Sequence, residues 1–396
     1  MQVSDGIYEA IAKLDRFSIE IPSWGFANTG TRFGKFLQPG AATTLEEKFA
    51  DAAQVHRLTG ITPQLALHVL WDLPNGTTDV WEVKQLGQKY NIQPGSINPN
   101  LFQNQEYKLG SICNPDRAVR KVAIDHLIAS VRIAKELGSK DLSLWISDGS
   151  NYPGSQSIRR RIVFLEEALQ AIHEELKPDQ RLLIEYKPFE PSFYHMDVAD
   201  WGMATQLAQS TGPQARVLVD TGHHYQSQNI EQIVAWLLHM RLLGGFHFND
   251  RRYADDDLTI GSIDPYQVFR IFHEILSEPD REQAANIAFM IDQSHNLKGK
   301  MEAMVQTVMV AQELFLKAAL VDREKLSELQ TAGDIVEAEE CLRSAFWIDV
   351  RPILAEWRLK RGLPPNPLDA LRESGYVKHI ESERGLRNAS PHNTYA

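Results

Sequence analysis

The sequence predicts a (β/α)8 barrel, the TIM architecture, followed by a C-terminal helical extension. Three observations carry that expectation. Eight strand-like runs, at 17–26, 64–71, 95–99, 141–147, 181–188, 216–221, 244–249 and 286–292, alternate with helical patterns, the order a barrel requires. Four of the later runs are apolar, as strands buried on both faces must be, yet each ends in ionisable residues: LLIEYK at 182–187, VLVDTGHH at 217–224, GFHFND at 245–250 and IAFMID at 287–292. No G-x-G-x-x-G and no G-x-x-x-x-G-K-[ST] follows an early strand, which disfavours dinucleotide and P-loop folds.

The helices follow from local signals. Thr44-Leu45-Glu46-Glu47 is a capping-box pattern opening a helix with Leu45, Phe49 and Ala52 on one face. Asn114-Pro115 reads as N-cap and first-turn proline of a helix whose apolar positions include Val119, Val122, Leu127, Val131 and Ala134, stopped at Leu137-Gly138. Further helices are expected over 158–176, 201–209, 230–242 and 266–276. After Asp292 the pattern becomes helical at 301–319, 323–330 and 335–360, with Trp347 and Trp357 among the apolar positions. GLPPNP at 362–367 breaks helicity, and a polar tail runs to Ala396. The expected division is a barrel over 1–298 and an extension with tail over 299–396. That extension must cover the barrel's outside or reach a neighbouring subunit, so a homo-oligomer is expected.

Bulk composition excludes several classes. With 396 residues, 43% hydrophobic and 23% charged, the chain has the make-up of a globular protein with a large core. A net charge of −11 disfavours a phosphate-tracking nucleic-acid surface, and Arg159-Arg160-Arg161 reads as a solvated helix face. No apolar run approaches bilayer length, and Met1-Gln2-Val3-Ser4-Asp5 has no leader pattern, so no membrane partner and a cytoplasmic location are expected. Cys113 and Cys341, far apart and outside any C-x-x-C, predict neither a disulfide framework nor a zinc-thiolate site.

A carboxylate or imidazole buried at a strand tip is costly unless something offsets its charge. Four successive strands doing this point to a divalent metal as common partner. Glu185 and Lys187, two apart on one strand, face the same side; they form either an ordinary ion pair or a metal ligand beside a cation that steadies substrate oxygen. Asp220 and His223 can each meet a metal across a turn eased by Gly222, with His224 pointing elsewhere. His247 faces away from its neighbours Phe246 and Phe248. Asp255 and Asp257 offer the oxygen ligands that Mg²⁺ and Mn²⁺ prefer. Asp292 completes the ring with Glu185, Asp220 and His247. Five carboxylates and two imidazoles suit two divalent cations of the Mn²⁺, Mg²⁺ or Co²⁺ kind with Glu185 bridging, and the lack of cysteine ligands counts against structural zinc. At other strand ends Trp24, His68 and Trp145 supply walls suited to a sugar, or simple core packing.

The motifs IEYKPFE at 184–190, VDTGHH at 219–224, GGFHFNDRRYADDD at 244–257 and LWISDGSNYPG at 144–154 resemble those of bacterial L-rhamnose isomerases of the broad-specificity subtype. The likeness runs from about residue 21 to Asp292 and is looser in the C-terminal helices; the stretch before Phe17 is short for the family. The resemblance implies a metal-dependent isomerase interconverting L-rhamnose and L-rhamnulose, tolerant of other aldohexoses, using Mn²⁺ and assembled as a tetramer. It implies a first, structural cation on Glu185, Asp220, His247 and Asp292, and a second, catalytic one on Glu185, His223, Asp255 and Asp257. Lys187 would contact the substrate near O1, His68 would assist ring opening near the ring oxygen, and Trp24, Phe33 and Trp145 would line the pocket.

Hydrogen could then move between C1 and C2 by direct hydride shift, or through an enediol with a base such as Asp292 or a water at the metal. The rival expectations are a ketose 3-epimerase, a divalent-metal hydrolase or endonuclease, which would want a basic rim, and a non-catalytic sugar-binding barrel, which would not need seven ligand-type residues.

Overall fold

The computed structural model describes residues 3–28, 36–190, 193–253, 255–295 and 297–387. Eight parallel strands form one sheet in sequential order: β1 (Ile21–Pro22), β2 (Gln64–His68), β3 (Gln93–Asn98), β4 (Asp141–Trp145), β5 (Arg181–Glu185), β6 (Ala215–Asp220), β7 (Leu243–Phe248) and β8 (Ala288–Ile291). The ring closes where Glu20 N donates to Phe289 O at 2.8 Å and Ile291 N donates to Glu20 O at 2.9 Å. The (β/α)8 expectation therefore holds. β1 is far shorter than the run 17–26, because Pro22 has no N–H to give the ladder and the chain turns at once into a 3₁₀ helix, Ser23–Phe26.

A helix α1 (Val3–Leu14) precedes the barrel. Outside the strands lie α2 (Leu45–Thr59), α3 (Val80–Tyr90), α4 (Arg117–Leu137), α5 (Ile158–His173), α6 (Trp201–Thr211), α7 (Ile230–His239) and α8 (Pro265–Ser277); a single-turn α9 (Arg281–Ala285) leads into β8. The Thr44 capping box is formed, Thr44 Oγ1 accepting from Glu47 N at 3.2 Å while the Glu47 carboxylate takes the Thr44 N–H. The start of α4 differs from the expectation: Asp116 is its cap, accepting from Ala118 N at 2.8 Å. Asn114 instead stitches the preceding loop, its amide donating to Gly110 O at 2.6 Å and its oxygen accepting from Asp116 N at 2.9 Å. Helix α10 (Lys300–Ala319) follows β8 and packs against α8 and α2, the place of the eighth helix of the ring.

Beyond it come α11 (Arg323–Ala332), α12 (Ile335–Trp347) and α13 (Arg351–Leu359). The expected single helix over 335–360 is broken at 348–350, and Pro352 opens the second piece in its first turn. The supposed polar tail carries two further helices, α14 (Pro367–Glu373) and α15 (Tyr376–Arg384). They dock through Leu371 and Ile380, buried in the main core, and through a buried ion pair: Arg384 bonds Asp51 of α2 at 2.7 and 2.9 Å, with Tyr376 Oη on the same carboxylate at 2.7 Å. Arg161 is also not on a solvated face. It is buried and pairs with Asp197 at 2.5 Å. Both cysteines are free, and no single helix among the described residues is long and apolar enough to cross a membrane.

Strand parity positions the site. Leu182 and Ile184, Val217 and Val219, and Phe246 and Phe248 point outward into the main core beneath the helices, whereas Leu183, Leu218 and Met290 fill the barrel's interior with Ala288. Side chains alternate along a strand, so the next inward position above Leu183 is Glu185, above Leu218 is Asp220, and above Met290 is Asp292. Register adds the fourth member, since His247 pairs with Asp220 on one side and Met290 on the other. An apolar plug thus supports a layer of ligand-type side chains at the C-terminal mouth, where barrel enzymes keep their chemistry.

Candidate metal centre

Ligand atoms of Glu185, Asp220, His247 and Asp292 all lie within 4.8 Å of one another. Glu185 stands between two imidazoles, Oε1 at 3.2 Å from His223 Nδ1 and Oε2 at 3.1 Å from His247 Nδ1. His247 Nδ1 is also 3.7 Å from Asp292 Oδ2, yet this buried nitrogen has no hydrogen-bond partner. Its Nε2 lies 3.4 Å from Ser143 Oγ. An imidazole nitrogen facing the carboxylates of Glu185 and Asp292 in this way is placed as a cation ligand would be.

Electrostatics agree. Burial, with the charges of Glu185 and Asp292, pushes the Asp220 carboxyl up to about 7, and burial with Glu185 also raises Asp292. Burial opposes protonation of His247, but Glu185, Asp292 and Asp220 overcome it and lift the imidazole to about 9. Burial would raise Glu185 too; His247 and His223 beside it hold it below the usual carboxylate range. Three carboxylates crowd this point with the His247 imidazole among them, and that donor set fits a hard or borderline cation.

Supporting groups fix these ligands. Asn249 Nδ2 donates to Asp220 at 3.0 and 3.2 Å, Gly222 N donates to Asp220 Oδ1 at 2.6 Å, and Trp24 Nε1 donates to Asp292 Oδ1 at 2.9 Å. Gly222 is required for space: a Cβ there would overlap the Asn249 amide oxygen, and its φ is not left-handed. His224 does point away, its Nε2 2.6 Å from Tyr186 Oη.

Of the second expected set, Glu185 and Asp255 flank the His223 ring, and among the described residues the four, Asp257 included, do not gather as the first set does. Nδ1 faces both Glu185 and, at 3.1 Å, the Tyr186 carbonyl, while Nε2 is 3.0 Å from Asp255 Oδ1. A carbonyl can only accept, so Nδ1 carries a proton and Nε2 is the nitrogen left for a cation. Asp255 and Asp257 are held at φ 49° and 47°, left-handed values costly for non-glycine residues, with Asp255 N donating to Gly222 O at 3.1 Å. Asp257 is pushed well above the usual range by burial and by Asp255, Asp292 and Asp220. Lys187 pairs with Asp255 and Glu190, each at 2.5 Å, and not with Glu185. Burial opposes its charge, but the two carboxylates raise its pKa above the ordinary value.

An aromatic wall stands over one side. His68 stacks on Trp71 with centroids 3.6 Å apart, Trp24 lies 6.0 Å from His68, and Phe102 bridges Trp71 at 6.0 Å to Trp145 at 5.2 Å. His68 Nδ1 is 2.9 Å from Val69 O, so Nε2 keeps the lone pair; burial pushes this histidine down to about 3 and it is neutral. Phe33 lies outside the described residues. Sequence reading missed Trp71, Phe102, Asn249 and Asp72. Asp72, fully buried, accepts from Ser23, Lys48 and the His68 N–H, and so anchors the end of β2. Trp71 and Phe102 lie in the loops past the ends of β2 and β3, where strand parity gives no signal.

Two other features are not the site. Cys113, Asp148 and Asp197 also gather within 4.8 Å, but Arg161 covers Asp197 and the Ser111 and Cys113 amides donate to Asp148 at 2.7 Å, a satisfied structural staple. A cavity of about 400 Å³ opens at the opposite mouth around Glu20 and Asp141, with neither imidazole nor a converging ligand set.

The family described as xylose isomerase-like TIM barrel matches residues 63–278. A probable sugar isomerase of Rhizobium meliloti (strain 1021) is 40% identical over 94% of this chain and 87% of its own length. The L-rhamnose isomerase of Bacteroides thetaiotaomicron is 24% identical over 78% of this chain and 77% of its own. The solved structure of an L-ribulose 3-epimerase shares the fold, with TM-score 0.54 and 13% identity over 80% of this chain and 98% of that one. The chain belongs to the xylose isomerase-like TIM barrel family.

Proposed function

We propose that this member of the xylose isomerase-like TIM barrel family is a divalent-metal-dependent aldose–ketose isomerase acting on L-rhamnose and other aldohexoses. The observation that carries the reading is the convergence of Glu185, Asp220, His247 and Asp292 within 4.8 Å beneath an aromatic wall. Support comes from relatives named as sugar isomerases, one of them an L-rhamnose isomerase.

Cations held by Glu185, Asp220, His247 and Asp292, and by Glu185, His223, Asp255 and Asp257, would be Mn²⁺ by preference and would supply Lewis acidity and a template for two adjacent sugar oxygens. His68, neutral with its lone pair on Nε2, takes the hydroxyl proton that opens the ring. Lys187, buried and charged, steadies negative charge at O1. Trp24 and Trp145, with Phe102 between Trp145 and Trp71, exclude water from the apolar face of the sugar. Asp292 holds a metal and, in an enediol route, takes the proton from C2. Turnover of C2-deuterated sugar in ordinary water separates the routes: full retention of deuterium at C1 selects hydride shift.

The test is conversion of L-rhamnose and a panel of aldohexoses by protein stripped with EDTA and then given Mn²⁺. Ketose should form only after the cation is restored. Absence of turnover on every aldose in both states would remove the reading, and interconversion of two ketoses would make the chain a 3-epimerase. A homotetramer belongs to the same reading, supported by the family resemblance and by exposed Ile335, Val336 and Trp347 on α12; sedimentation equilibrium tests it.

A further inference from the structure

We propose that the cavity at the N-terminal mouth of the barrel binds a small polyhydroxylated anion, a sugar phosphate or a sugar acid. The inference goes beyond the isomerase reading, since no residue lining this mouth belongs to the ligand layer at the other end. The cavity holds about 400 Å³, within the range of small-molecule sites. It reaches from the foot of α1 to β3 and to the first residues of β4, β5 and β8.

Charge points to an anion. The chain carries a net charge of −11, yet Lys13, Arg16, Lys140 and Arg181 meet around this cavity against two acids, Glu20 and Asp141. Asp141 is already engaged, accepting from Arg181 Nε at 2.6 Å and Nη2 at 2.8 Å. Lys140 Nζ bonds a neutral partner, the Asn286 side-chain oxygen at 2.9 Å, and burial together with the nearby Arg181 pushes its pKa down. Cations crowded in this way favour a negatively charged guest.

The second acid points to hydroxyls. Glu20 is buried in the cavity wall and accepts from Ser96 N at 2.9 Å and Ser96 Oγ at 2.5 Å; among the described residues it bonds none of the four cations. Gly95 makes room for it, because a Cβ there would fall 2.0 Å from Glu20 Oε2. A buried carboxyl kept off its available counter-ions costs stability, and its unfilled lone pairs suit hydroxyl donors. Beside it Phe17 and Phe289, with ring centroids 5.6 Å apart, form an apolar wall, and Phe315 stacks on Phe17 at 4.2 Å. The C–H face of a sugar packs on those rings, its hydroxyls meet Glu20, and its charged group meets Lys13, Arg16 and Lys140.

Calorimetric titration of the full chain with glucose 6-phosphate, gluconate, inorganic phosphate and sorbitol tests the proposal. Glucose 6-phosphate or gluconate should bind at one site per chain, about tenfold or more tighter than inorganic phosphate or sorbitol, as one further hydrogen bond to a charged group provides. The tighter of the two identifies the charged group. Arg16→Glu and Lys140→Glu, on exposed side chains, should each weaken that binding by about tenfold or more, and they keep the test intact where Glu20→Ala fails to fold. A folded Glu20→Ala should bind the sugar anion no tighter than inorganic phosphate. His247→Ala, which alters only the opposite mouth, should bind as the native chain does. Loss of binding in His247→Ala would place the ligand at the metal centre and overturn the proposal. So would inorganic phosphate or sorbitol binding as tightly as the sugar anions, an affinity indifferent to both charge reversals, or no binding at all. None of these readouts needs turnover, so they are decided separately from the isomerase reading.

Discussion

At the scale of single residues, the site is a set of groups that burial alone would forbid. Asp220 is almost wholly removed from water and carries three bonds from Asn249 and Gly222, yet its carboxyl is still pushed up to about 7. Partnered donors do not cancel the neighbouring charges of Glu185 and Asp292; a cation would. His247→Ala should therefore abolish Mn²⁺ binding at the four-residue group, read by equilibrium dialysis, while leaving the far-ultraviolet spectrum native. At the opposite mouth, burial pushes Glu20 up to about 7, although Ser96 N and Oγ donate to it. The folded state holds that proton between the ordinary value of 4.5 and about 7, so its stabilising contribution is complete below 4.5 and lost as pH rises past 7. The loss is about 3 kcal/mol. Denaturant titrations from pH 4.5 to 8 should show a fall in stability that is smaller by about 3 kcal/mol in Glu20→Gln, the remainder coming from the other carboxyls that burial raises.

Among the elements, those that parity and capping govern were legible in the sequence. The four apolar runs ending in Glu185, Asp220, His247 and Asp292 read correctly as strands because both faces of each are buried, the outward one under the helices and the inward one in the barrel plug, and Thr44 with Glu47 marked the start of α2. What stayed hidden was set by partners distant in sequence. Asp116 and not Asn114 caps α4 because Gly110 takes the Asn114 amide. The helices α14 and α15 looked like a polar tail because Arg384 docks them and is itself a charged residue, balanced 333 positions away at Asp51. The Lys187 bond to Asp255 likewise joins β5 to the loop after β7 across 68 positions. Arg384→Met should leave the Asp51 carboxylate buried and unpaired and cost about 3–5 kcal/mol, read from the denaturant midpoint. A drop below about 1 kcal/mol would mean the pair is solvent-screened.

For the molecule as a whole, one plug of Leu183, Leu218 and Met290 turns eight strands into a platform, and the platform brings side chains from 185, 220, 247 and 292 to one point. Stability and cation binding are then linked: a ligand at a hundred times its Kd stabilises the fold by about 2.7 kcal/mol, so EDTA should lower the Tm and Mn²⁺ should restore it. The linkage vanishes in Asp220→Asn/Asp292→Asn, which cannot hold the ion. The most direct measurement is an anomalous-difference map from crystals grown with Mn²⁺. The account predicts a strong peak within bonding distance of Glu185, Asp220, His247 and Asp292 together. Density elsewhere, or none between those four side chains, would contradict it.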